Sequence, residues 1–120
     1  MKRLLVILAV FMFIALPVTA MAGGEGPMNL PDGTDGKAVM HNDAGIKDWG
    51  KGNFAGALGH FQESSGIAGS NGQTHFNEAI CLDKLGKHGE ATMHFKVALK
   101  NANGNDAIMN SPILKAHLGM

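Results

Sequence analysis

The chain has 120 residues, ten basic and ten acidic side chains, six histidines, one cysteine and no tyrosine, which allows one small domain and little beyond it. So balanced a charge argues against nucleic acid or an anionic membrane surface as partner, since both require a basic patch. The single cysteine, Cys81, excludes an internal disulfide, a covalent haem motif and a thiolate pair for zinc, and reads as a small buried apolar residue.

The first element is an export signal over residues 1–22. Lys2 and Arg3 precede an apolar run from Leu4 to Leu16, Pro17 ends it, and Ala20-Met21-Ala22 offers small residues for cleavage after Ala22. A retained anchor stays open as an alternative, because Thr19 is the one polar side chain between Leu4 and Ala22 and a span needs about 20 apolar residues. Cleavage would place the mature chain in the periplasm or outside the cell, free of the membrane. That chain would keep eight Lys, no Arg and ten acidic residues, a net charge of −2 with His neutral. Without Arg it lacks the usual bidentate clamp for phosphate or carboxylate.

Residues 23–36, GGEGPMNLPDGTDG, are rich in Gly and Pro and carry no apolar period. They read as a flexible arm. From Ala38 the chain repeats itself at a spacing of 34. His41 falls on His75, Ile46 on Ile80, Gly52 on Gly86, Ala57 on Ala91, His60-Phe61 on His94-Phe95 and Asn71 on Asn105. A fixed period of this size means stacked supersecondary units. The first unit is expected over 37–71 and the second over 72–105. In the second, Ala79, Leu82 and Leu85 recur at helical spacing until Gly86 stops the helix. Ala91, Met93, Phe95, Ala98 and Leu99 then form another helix, and Asn71 and Asn105 stand ready as N-caps. The expected fold is all-α, two helix–turn–helix units stacked as a short superhelix. The first unit should be the looser, since Gly45, Gly50, Gly56, Gly59 and Gly66 lie in or near its helices and an interior Gly costs about 0.8–1 kcal/mol relative to Ala.

Residues 106–120 read as a partial third unit. Ser111-Pro112 suits the cap and first turn of a short helix, or else one helix starts at Asp106 and kinks at Pro112. Its side chains Ile108, Met109, Ile113, Leu114 and Leu118 are apolar, with Lys115 the one strong charge. A solenoid normally ends in a polar face. This end is therefore expected to be unsatisfied and to dock on another subunit or another copy.

Gly52-Asn53-Phe54-x-x-Ala57-Leu58-x-x-Phe61-x-x-Ser64 and, in the second unit, Asn77-Glu78-Ala79-x-x-Leu82-x-x-x-Gly86 followed by Ala91-x-x-x-Phe95-x-x-Ala98-Leu99 resemble the tetratricopeptide repeat family. That resemblance spans Ala38 to Asn105. It implies a tetratricopeptide-like superhelix whose first helices line a concave groove, here Val39, Asn42, Ile46 and Trp49 in one unit and Gln73, Phe76, Ile80, Asp83 and Lys84 in the next. Trp49 and Phe76 would anchor a partner's helix or extended segment. The function so implied is a non-enzymatic adaptor or assembly subunit in an exported complex, its partner another protein or another copy of itself.

The histidines motivate a second reading, a periplasmic metal-binding protein. His41 with His75, and His60 with His94, recur at the 34 spacing, so equivalent positions should stand about 10 Å apart in neighbouring units. Met40 and Met93 precede two of them, and His with Met suits copper. Duplication alone explains the recurrence, however. No His pair stands at i, i+4, and no carboxylate visibly completes a triad, so no metal or other cofactor is assigned. Glu63, Glu78, Asp83 and Glu90 read as solvated charges. No catalytic motif is present.

Overall fold

The computed structural model describes residues 25–120; the signal read over Met1–Ala22 lies outside them. Among the described residues all regular structure is helical: α1 Gly36–Gly50, α2 Phe54–Ile67, α3 Gly72–Lys84, α4 His88–Lys100, α5 Asp106–Met109 and α6 Pro112–Leu118. Short polar side chains start five of the six. Asp35, Asn53, Asn71, Asn105 and Ser111 each accept a hydrogen bond from an amide two or three residues on, satisfying donors a helix start leaves free. Gly52 and Gly86, 34 residues apart, take φ of +74° and +78° between the helices of each hairpin, a backbone region that costs Gly little.

The helices pack as neighbours in chain order: α1 on α2, α2 on α3, α3 on α4, with α6 closing over α4. This is a stack of helix–turn–helix repeats. Phe61, Phe76 and Phe95 fill the seams and are fully buried, among Ala57, Ala79, Ala91 and Ala98, whose small side chains let the helices approach. Phe76 meets Phe95 edge to face at 5.7 Å between centroids.

Two expectations change here. Gly45 is no simple weakness. A Cβ built there would stand 2.5 Å from Cε1 of Phe61, so its absence lets the ring pack closely against α1. Gly50, Gly59 and Gly66 do face open space. The partial third unit is also closed, not an unsatisfied end. Ile108 and Leu114 are fully buried, Ile113 and Leu118 are half-buried against the core, and Met109 alone of the five is exposed. The two readings of this segment both hold in part: a short helix does begin at Asp106, and Pro112 opens a new one capped by Ser111.

Candidate functional site

The face formed by α1 and α3 carries the chain's own arm. Glu25–Thr34, part of the 23–36 stretch read from composition as flexible, is seated on it through the Met28 backbone, with the Met28 side chain packed on the core. Met28 N–H donates to Asn77 Oδ1 at 2.7 Å, and Met28 C=O accepts from Asn77 Nδ2 and Asn42 Nδ2, both at 2.9 Å. The second Asn77 amide proton goes to Asn42 Oδ1 at 2.8 Å. Both asparagines are essentially inaccessible, and each of their side-chain nitrogens and oxygens has at least one partner, as burial demands. At the arm's start, Glu25 Oε1 accepts from the Ile113 amide in the first turn of α6 at 2.9 Å, where a carboxylate meets free amides and the helix dipole.

Beside Glu25 this face opens into a cleft of about 400 Å³, lined by Glu25, Trp49, Ile80, Asp83, Lys84, Pro112 and Ile113. Four of the nine groove residues read from sequence meet here, with Ile113 from the expected assembly end. Trp49 is half-buried, edge-on to Phe54 at 4.8 Å, and the Lys84 ammonium lies 5.9 Å from the same Phe54 ring. The others fall elsewhere. Gln73 lines a separate polar hollow with Pro31, Asn71 and Asn103, Val39 and Ile46 are half-buried on α1, and Asn42 holds the arm. Phe76 is core, not an anchor: fully buried, it faces Phe95 on α4. Sequence reasoning missed Asn77 and Glu25. An Asn breaking the inward stripe of each first helix was the available signal, for a buried amide implies a polar partner.

All six histidines lie in pairs, each with a carboxylate. Two of the pairings run within hairpins, the third joins α4 to α6, and none links equivalent positions of neighbouring units. His41 stacks on His60 at 6.0 Å and His75 on His94 at 5.5 Å, because residues 19 apart face each other across the two helices of one hairpin. His88 and His117 pair at 5.9 Å. Carboxylates do complete these groups: Glu63 with the first pair, Glu78 with the second, Asp83 with the third, ligand atoms in each lying within 4.8 Å of one another. Glu78 is 2% exposed, not a solvated charge. Met40 and Met93 are exposed.

In the third group Asp83 Oδ1 accepts from His88 Nδ1 and His117 Nε2, each at 2.8 Å. Burial pushes the Asp83 carboxyl up, but those two hydrogen bonds and the imidazole charges together outweigh it and hold it below the ordinary carboxylate range. In the second group the hydrogen bond to Glu78 raises His94 above the ordinary histidine range. Burial opposes that shift, and the charges of Glu78 and Glu90 add to it. Cys81 is buried, its thiol pushed up to about 12 first by burial and then by the Glu78 charge. A thiol so placed stays protonated at neutral pH, the state of an unreactive packing residue.

No protein-family model, curated protein or solved structure matches this chain.

Proposed function

We infer that this protein is a non-enzymatic interaction module, an adaptor or assembly subunit that holds an extended stretch of polypeptide along its concave side. The observation that carries this reading is the asparagine clamp. Asn77 and Asn42 grip both the N–H and the C=O of Met28, and such a grip recognises extended backbone whatever side chain it bears. The cleft beyond Glu25 prolongs that surface, with Trp49, Ile80 and Ile113 as apolar floor and Glu25, Asp83 and Lys84 as charged rim. A partner's strand would lie there, Trp49 supplying the aromatic contact that typically dominates such interfaces. The 34-residue recurrence supports a tetratricopeptide-like ancestry, and the signal-like N-terminus supports a place in an exported complex.

Affinity capture from envelope extract tests it, comparing the native chain with Trp49→Ala and with Lys96→Glu on the exposed face of α4. A partner should be retained by native protein and Lys96→Glu, and lost or reduced at least tenfold with Trp49→Ala, an anchor loss of about 2 kcal/mol being typical. Melting curves of the variants show that each is folded. A partner captured equally by folded Trp49→Ala refutes the cleft as its site.

A further inference from the structure

We propose that His75, Glu78 and His94 form a binding site for a first-row divalent transition-metal ion, such as zinc. Three observations converge on it. The first concerns protons. His75 Nε2 stands 2.8 Å from the Gly69 carbonyl, which can only accept, so Nε2 carries a hydrogen and, in the neutral ring, His75 Nδ1 presents a bare lone pair. That lone pair points at His94 Nδ1, 3.2 Å away, and His94 Nδ1 is itself 2.8 Å from Glu78 Oε2. One proton, on His94 Nδ1, thus lies among three potential ligand atoms.

The second is distance. Ligand atoms about 2.1 Å from one ion are separated by about 3.0 Å at a right angle and about 3.4 Å at the tetrahedral angle. The two Nδ1 atoms are 3.2 Å apart, and Glu78 Oε2 stands 2.8 and 3.9 Å from them, so a small swing of the carboxylate brings all three onto one ion. The outer contacts hold the ligands as metal sites do: Gly69 O orients His75, and the Ser65 hydroxyl donates to Glu78 Oε1. Glu78 is buried while the His94 side chain is 34% exposed, which leaves one side open for water or a further ligand.

The third is recurrence without inheritance. His41 and His60 repeat this pair one unit earlier, yet the carboxylates do not correspond. Glu63 has Val97 at its 34-residue equivalent, and Glu78 has Ala44. Duplication accounts for the histidines and not for a carboxylate beside each pair. Imidazole donors favour zinc, copper, nickel or iron(II) over magnesium and calcium, which prefer all-oxygen shells. Binding exchanges the His94 Nδ1 proton for the metal and releases that proton to solvent.

The test is titration of the chelator-stripped chain with Zn²⁺, read by calorimetry in buffers of different ionisation enthalpy and by ¹⁵N NMR of the imidazoles. The site predicts binding with proton release and a shift of the His75 and His94 Nδ1 resonances in the unmutated protein. Ser65→Ala should weaken affinity by about 10–100-fold, and His75→Ala by more, while His88→Ala leaves the affinity of this site unchanged. Zinc that moves only the resonances of other histidines, or that binds His75→Ala as tightly as the native chain, overturns the assignment. So does a chain that binds no zinc at micromolar concentration.

Discussion

Replacing Asn77 with Ala isolates the contact that seats the arm. The substitution removes three hydrogen bonds, two to the Met28 backbone and one to Asn42. At about 0.5–1.5 kcal/mol net apiece they amount to about 3 kcal/mol if the arm stays in place. If the arm leaves, water recovers the Met28 groups, but the fully buried Asn42 then loses its partners, at about 1–3 kcal/mol for the unsatisfied amide, and Met28 gives up its packing on the core. Both routes converge on roughly 2–3 kcal/mol, a large share of the 5–15 kcal/mol typical of a domain. With about 4–8 °C per kcal/mol for a domain of this size, the melting temperature should fall by roughly 10–20 °C. Thermal melts by circular dichroism measure that loss, and hydrogen exchange at the Ile113 amide, which donates to Glu25 of the seated arm, separates the routes, protection vanishing if the arm undocks. A variant that melts within about 2 °C of the native chain, with Ile113 still protected, would refute the clamp.

The glycines of the first hairpin should divide by what surrounds them. Gly59→Ala, facing open space, should stabilise by about 0.8–1 kcal/mol, whereas Gly45→Ala drives a methyl into Phe61 and should lower stability; urea melts showing the same sign for both would contradict the packing described. The Asp83 carboxyl, held below its ordinary value by His117 and His88, contributes stability that is present above the unfolded pKa of about 3.9 and lost as pH falls through the lower folded one. Asp83→Asn should therefore be less stable than native at pH 5 and indistinguishable from it in strong acid, and a gap of equal size at both pH values would count against the imidazole contacts.

Much of the backbone was legible in the sequence, because local chemistry sets it. Asn71, Asn105 and Ser111 are caps wherever a helix follows, Gly86 ends a helix because it alone enters positive φ cheaply, and the 34-residue recurrence of His, Phe and Ala positions can only be met by stacking like units. The site was less legible. Composition marks Glu25–Thr34 as lacking a periodic core pattern, and it has none; one side chain, Met28, packs on the core, and the backbone there, which carries no side-chain signature, meets two asparagines from different helices. Spacing brought His41 to mind beside His75, but the rotation of two antiparallel helices about their seam decides which faces meet, and it set His75 against His94. The same packing buried Glu78 between them and turned Phe76 inward onto Phe95. It also folded α6 back over α4, so that Ile108 and Leu114 lost the surface their sequence suggested they would keep. Caps and period are properties of a few neighbouring residues; the hydrogen-bond partners of the buried Asn77 and Glu78 lie 13 to 49 residues away, and only the packed helices bring them together.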